Sequence, residues 1–259
     1  MKTVIAFVGS ARKRGFTYIA TRQFLDDLES LGDVQSEIVF LSDYKLGLCR
    51  GCKACFLRGE ERCPLKDDRD LLIEKMTAAD GVVFASPNYS FQVSAIMKTF
   101  LDRLGFVFHR PRFHGKAFTS IVFQGIYGGG KVVRYLDFVG RGLGFNVAIG
   151  SCTTALEPMT DKDRLKMSET LLRQCKRFHK QLFKPAYPIP SIVQLLAFRM
   201  SRTSMRQTLG DDNRDFTYYR DHGWFESDYY YPTRLAPLKK AVGATFDWMA
   251  SNLYKQRQV

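Results

Sequence analysis

Four cysteines fall within fifteen residues: Cys49-Arg-Gly-Cys52-Lys-Ala-Cys55, then Cys63 after seven more positions, followed by Pro64. Thiolates at this density can converge on one centre, either a cubane iron–sulfur cluster or a tetrahedral zinc ion. Zinc more often takes two separated Cys-x2-Cys pairs, whereas here three cysteines share one short run. A redox disulfide needs only two of the four. Arg50, Lys53, Arg58 and Arg62 can offset the negative charge of a thiolate-ligated cluster, and Gly51 and Gly59 lend the loop freedom. The two other cysteines, Cys152 and Cys175, read as buried apolar residues.

A second constellation lies near the start of the chain, in Gly9-Ser10-Ala11-Arg12-Lys13-Arg14-Gly15-Phe16-Thr17. It joins an apolar run to a helical pattern. Helix-start amides can bind an anion, Ser10 and Thr17 add hydroxyl donors, and Arg12 adds a cationic fork suited to phosphate. No Gly-Lys-Ser/Thr follows and the glycines do not read Gly-x-Gly-x-x-Gly, so neither a Walker loop nor a Rossmann dinucleotide site is expected. The four histidines (His109, His114, His179 and His222) read as surface residues, and no Ser/His/Asp spacing stands out.

The 259 residues are 45% apolar, enough for one well-buried domain with an extension. The net charge of +13 is spread along the chain and accompanies no nucleic-acid motif. A basic surface attracting phosphorylated cofactors is the simpler reading, and nucleic acid is not expected as a partner. The apolar run at 4–8 is too short for a secretory leader, and no stretch approaches about 18 uninterrupted apolar residues. A cytoplasmic protein is therefore expected, where clustered thiols serve as ligands or redox groups more often than as structural disulfides.

These residues need a scaffold. Apolar strands are expected at 4–8, 37–41, 81–85, 117–123 and 146–150. Helical spacing falls at 17–31, 68–78, 94–104, 131–141 and 161–184, with Ser94 as a cap. Five alternations of strand and helix imply a doubly wound five-stranded parallel sheet, α/β in class, with ligands beyond the carboxyl ends of its strands. That places the chemistry in residues 9–17, 43–66, 86–93, 124–130 and 151–160. After Pro185 the character changes. An amphipathic helix is expected at 189–206, with Ile189, Ile192, Val193, Leu196 and Met200 on one face. A polar, aromatic stretch follows to Tyr231, and a last helix spans 235–254. The reading is a domain over 1–184 and an extension over 185–259 that serves as packing arm, lid or dimer contact.

The first loop, Gly-Ser-x-Arg-x-x-Gly-x-Thr, resembles the FMN phosphate loop of the NADPH-dependent FMN reductase family, whose fold is flavodoxin-like. Two further segments carry the resemblance. One is Ser86-Pro87-Asn88-Tyr89-Ser90, followed by the helix from Ser94 to Arg103 with its Lys98-x-Phe100-x-Asp102-Arg103 ending. The other is Gln124-Gly125-Ile126-Tyr127-Gly128-Gly129-Gly130. The cysteine spacing resembles the compact motif of the iron–sulfur flavoproteins, a branch of the same group.

The resemblance covers about residues 1–184. It implies phosphate held by Ser10, Arg12, Gly15 and Thr17, and the flavin ring held by Pro87, Asn88, Tyr89, Ser90, Gly125, Gly128 and Gly129. It implies a 4Fe–4S cluster on Cys49, Cys52, Cys55 and Cys63. The activity implied is an FMN-dependent, NAD(P)H-linked oxidoreductase passing electrons to a small-molecule acceptor or a redox protein, as a homodimer or homotetramer. The flavin carries the chemistry, so no catalytic acid or base is assigned. Two alternatives stay open: a cluster-free FMN or quinone-type reductase, and a non-enzymatic flavin-binding scaffold with a structural zinc loop.

Overall fold

The computed structural model describes residues 1–256. The chain divides into two compact units: Met1–Arg50 with Leu65–Ala186, and Gly51–Pro64 with the chain from Tyr187 on.

In the first unit, β1 (Lys2–Val8) leads through the phosphate-type loop into α1 (Phe16–Ser30), and β2 (Val34–Phe40) follows. β1 lies between two parallel neighbours and buries every residue from Val4 to Val8, so its sequence is continuously apolar rather than alternating. The other elements of this unit are α3 (Arg69–Ala78), β3 (Gly81–Tyr89), β4 (Gln92–Val93), α4 (Ala95–Arg103), α5 (Gly105–His109), β5 (Ala117–Gln124), α6 (Gly129–Gly142), β6 (Asn146–Val147), β7 (Ser151–Thr154) and α7 (Asp161–Leu182). The label α2 belongs to Ala54–Leu57, in the second unit.

Strand order is β2-β1-β3-β5-β6, with β7 continuing alongside β5. All these pairings are parallel; β4 only folds back on the end of β3 as a hairpin. This is the doubly wound, flavodoxin-like arrangement. One face packs Val4, Ala6 and Val8 against Phe24 and Leu28 of α1 and Leu171, Cys175 and Phe178 of α7. The other carries Phe7, Phe84 and Phe118, with Phe100 of α4 stacked on Phe7 at 5.5 Å.

The fifth strand departs from the expected 146–150. It is two pieces, because the buried Asp137 carboxylate takes the Gly150 N–H at 3.2 and 3.3 Å and the Ser120 hydroxyl at 2.9 Å. A Cβ on Gly150 would lie 2.1 Å from Ser120 Oγ, so only glycine allows this approach. Burial pushes the Asp137 carboxyl above its ordinary value. The strand then resumes over Ser151–Thr154, within a stretch expected to be loop.

The second unit contains α2, α8 (Ile192–Thr208), α9 (Arg214–Asp221) and α10 (Pro237–Gln256). Ser191 caps α8 with a reciprocal bond from Gln194, which fixes its start three residues later than the 189 expected. The apolar face is also displaced: Ile189, Ile192 and Val193 are exposed and Leu196 and Met200 only half-buried, while Leu195 and Phe198 are buried beside Arg199 and Arg202. Those arginines lie inward because α10 offers Asp247 to both, and Asp228 takes Arg199 as well. An apolar-periodicity reading assigns such arginines to the solvent side. α9 falls within the stretch read only as polar and aromatic. Tyr219, Trp224, Phe225 and Tyr229 form a core of their own with Leu195 and Phe198. Among the described residues, no helix is long and apolar enough to cross a membrane.

Candidate functional site

The carboxyl ends of β1, β3 and β5 open on a cavity of about 240 Å³. Its walls include Ser10, Arg12, Gly15 and Thr17 from the first loop, Pro87, Asn88 and Tyr89 from the end of β3, and Gly125 after β5. Loops separated by more than a hundred residues in sequence thus meet where the topology places ligands.

Each loop is held by identifiable bonds. Ser10 Oγ accepts the Arg12 N–H at 3.2 Å, and Gly15 N–H donates to Arg12 O at 3.0 Å, curling the loop before α1. Ser10 and Thr17 are buried while Arg12 projects outward. The first amides of α1 have no acceptor within the helix, which leaves them for an anion. Ser94 links this loop to the next. Its hydroxyl donates to Gly9 O at 2.5 Å and accepts the Met97 amide at 3.2 Å, while its own N–H donates to Ser86 Oγ at 3.0 Å. Sequence reasoning found Ser94 as a helix cap and missed its tie to Gly9.

Gln124 organises the other side. Its Oε1 accepts from Gly129 N–H at 2.6 Å and from Asn88 Nδ2 at 3.4 Å, and its Nε2 donates to Thr154 Oγ1 at 2.8 Å. Asn88 Nδ2 also donates to Tyr127 O at 3.0 Å. Asn88 Oδ1 is buried and has no partner among the described residues. A buried acceptor without a donor is costly in a folded protein, and a ligand N–H would satisfy it.

Three of the expected ring-contact residues do not line the cavity. Ser90 sits with Phe91 at the tip of the β3–β4 hairpin, both with positive φ (49° and 63°), strain of the kind that gathers at ligand sites. Gly128 and Gly129 shape the neighbouring loop instead. Gly128 has φ of 93°, and its missing Cβ leaves room for Phe91; a Cβ on Gly129 would strike Cys152 Sγ at 2.4 Å. Phe16, Gln124 and residues 155–157 line the cavity from within the expected segments without having been assigned as contacts, and Phe123 lines it from the end of β5. The Phe16–Phe123 ring contact at 4.9 Å joins α1 to β5, which only the fold brings together. Tyr89, Phe91, Ile126, Tyr127 and Leu156 are large apolar residues left exposed in these same loops.

The cysteine segment has a built neck in the first unit. Asp67 accepts the Gly47 N–H at 2.8 Å and pairs with the buried Arg103, which also donates to Gly47 O at 3.1 Å. Lys45 and Asp68 close the same neck through Lys45 N–H to the Asp68 carboxylate at 2.6 Å. Burial alone would raise the Asp67 carboxyl, but Arg103 and the Gly47 and Arg69 amides outweigh it and hold it below the ordinary carboxylate range. Arg103 is thus a structural ion-pair partner.

Cys49 belongs to the first unit, and Cys52, Cys55 and Cys63 to the second. Cys49 and Cys52 are exposed, while Cys55 and Cys63 are half-buried. The donor types suit a soft metal centre; among the described residues, no three or more His, Cys, Asp or Glu side chains are grouped to hold a metal ion. Cys175 is buried and Cys152 half-buried, and burial pushes their thiols up to about 12 and about 11. His114 is half-buried rather than a surface residue. Burial depresses its imidazole to about 4, against the opposing pull of the Gly144 and Pro111 backbone.

Residues 2–154 match the NADPH-dependent FMN reductase family. Relatives include an iron–sulfur flavoprotein of Archaeoglobus fulgidus, 35% identical over 156 residues, which are 56% of this chain and 70% of the relative. An iron–sulfur flavoprotein of Methanocaldococcus jannaschii is 38% identical over 100 residues, 39% of this chain and 50% of that one. Among solved structures, RosB with a bound 8-demethyl-8-formylriboflavin-5'-phosphate intermediate aligns over 92% of both chains, with TM-score 0.56 at 14% identity. The NAD(P)H:quinone oxidoreductase from Methanothermobacter marburgensis aligns over 68% of this chain and 98% of its own, with TM-score 0.55 at 16% identity. At such identities these two structures speak to the fold alone.

Proposed function

Because the chain belongs to the NADPH-dependent FMN reductase family, we propose that it is an FMN-dependent oxidoreductase that takes reducing equivalents from NAD(P)H and passes them to a small acceptor such as a quinone, or to a redox protein. The observation that carries this reading is the meeting of the 9–17, 87–89 and 124–125 segments on one cavity lined by Ser10, Arg12, Gly15, Thr17, Pro87, Asn88, Tyr89 and Gly125.

The residues present fit FMN. Arg12, Ser10, Thr17 and the α1 amides offer one anionic end its donors, and Gly15 lets the backbone come close. At the other end, Asn88 Oδ1 can accept an imide N–H, and Pro87 holds the loop in extended form. Gln124 keeps Asn88 and the 126–129 loop at fixed spacing. Bound FMN supplies the redox chemistry itself, accepting a hydride and releasing its electrons singly or in pairs. The protein binds, orients and shields; Tyr89, Phe91, Ile126 and Tyr127 offer apolar surface to a planar acceptor or to the second subunit of a dimer or tetramer.

A second reading adds a 4Fe–4S cluster on Cys49, Cys52, Cys55 and Cys63. The cysteine spacing and the relatives described as iron–sulfur flavoproteins support it.

Anaerobic purification followed by flavin, iron, sulfide and zinc assays, with NADPH and NADH oxidation against a soluble quinone, tests both readings. FMN with NAD(P)H-driven quinone reduction is the expected result. About four iron and four sulfide per chain would add the cluster. No FMN binding would overturn the proposal, and FMN with zinc and no turnover would leave a flavin-binding scaffold.

A further inference from the structure

The cysteine segment folds with the C-terminal extension rather than with the domain that interrupts it in sequence. α2, which contains Cys55, packs against α9. Leu57, Arg58 and Arg62 share a cavity of about 340 Å³ with Asn213, Arg214 and Thr217 at the start of α9. The segment is well formed within this unit. Cys63 N–H donates to Glu60 O at 3.2 Å, Arg62 N–H to Gly59 O at 3.1 Å, and Leu57 N–H to Lys53 O at 3.1 Å. Gly59 holds φ of 113°, where a Cβ would meet the Glu61 carboxylate at 2.3 Å. α9 also carries Tyr219, fully buried against Trp224 at 4.9 Å and Phe225 at 5.8 Å. A single short helix therefore touches the cysteine-bearing turn and anchors the extension's aromatic core.

We propose that α9 and its aromatic core are the positioning element for Cys55 and Cys63, so that the order of the core and the chemistry of these thiols are coupled. Loosening the core frees the segment; by the same linkage, a group placed on the thiols alters the core. The coupling requires neither FMN nor a cluster, and so stands apart from the function proposed above. It gives the extension a task that a lid or a plain packing arm would not have.

The test uses the reduced, FMN-loaded full chain, with iodoacetamide as the thiol probe and mass spectrometry resolving each cysteine. Tyr219→Ala is expected to raise the alkylation rates of Cys55 and Cys63 at least ten-fold and to leave Cys152, Cys175 and the FMN content unchanged. Tyr219→Phe, which keeps the ring, is expected to restore the wild-type rates. In a Trp248→Phe background, Trp224 is the sole tryptophan, and alkylation of the otherwise native chain is expected to shift its emission. If Tyr219→Ala is insoluble, Phe198→Leu perturbs the same core more mildly. Trp224 emission that moves while Cys55 and Cys63 keep their rates within two-fold would overturn the coupling. A uniform rise at all six cysteines would overturn it too, by showing general unfolding.

Discussion

The flavin-type cavity and the cysteine segment carry residues of equal chemical promise, but they are organised by different means. Around the cavity, Ser94 bonds Gly9 and Ser86, and Gln124 bonds Asn88, Gly129 and Thr154, so the polar groups are fixed by the protein's own hydrogen bonds. In the cysteine segment the backbone turns are formed, yet the thiols are not gathered into a metal-binding set among the described residues. Hydrogen-bond donors and acceptors pair with one another and can preorganise a site. Thiols are weak hydrogen-bonding groups and do not hold one another in place in the same way.

Four perturbations probe this contrast, from largest to smallest. Arg103→Met should destabilise the first unit by about 3 kcal/mol, because it leaves the half-buried Asp67 carboxylate without its cation. Urea unfolding measures this; a loss below about 1 kcal/mol would mean that the neck of the cysteine segment is held by other bonds. Acidification comes next. The folded His114 stays neutral down to about 4, whereas the unfolded residue takes its proton near 6.5. Its contribution is complete above the unfolded value and is lost as pH falls from there to about 4, a change of about 3 kcal/mol. Comparing wild type with His114→Phe across that window isolates the effect, and identical pH profiles would refute it.

Arg12→Ala should weaken FMN binding about 10- to 100-fold, the range for a charge-assisted phosphate contact, with little change in stability since the side chain is exposed. Flavin fluorescence titration decides, and unchanged affinity would remove Arg12 from the site. Ser94→Ala should cost about 1 kcal/mol through loss of the α4 cap, and should weaken FMN binding as well, because the Gly9 tie is lost with it. A stability loss with intact affinity would make Ser94 only a cap.

Much of the site was legible in the chain itself. Ser10, Arg12, Gly15, Thr17, Pro87, Asn88, Tyr89 and Gly125 all line the cavity, because each lies at or shortly after the carboxyl end of a strand whose apolar run marks it. Ser90, Gly128 and Gly129 belong to the right loops but shape them instead of facing the cavity; which residue of a tight turn faces a ligand depends on φ, and sequence shows that poorly. Phe16, Phe123 and Leu156 read as core or loop residues and become walls only when α1, β5 and the segment after β7 are brought together. The tail was the least legible part. Its buried face contains Arg199 and Arg202, whose partners Asp228 and Asp247 lie 29 and 45 or more residues away, so hydrophobic periodicity misplaced the buried face of α8.

By itself, the sequence determined the parallel α/β sheet, the loops that border its cavity and the presence of a ligand-rich cysteine run, since apolar periodicity, glycine and cysteine spacing act over a few residues. Tertiary structure alone decided that the fifth strand breaks at Gly150, that Gln124 braces the cavity, and that residues 51–64 fold with the chain beyond Tyr187. Each of these depends on which distant groups satisfy a buried acceptor or cover an aromatic ring, and that choice is made only when the whole chain has closed on itself.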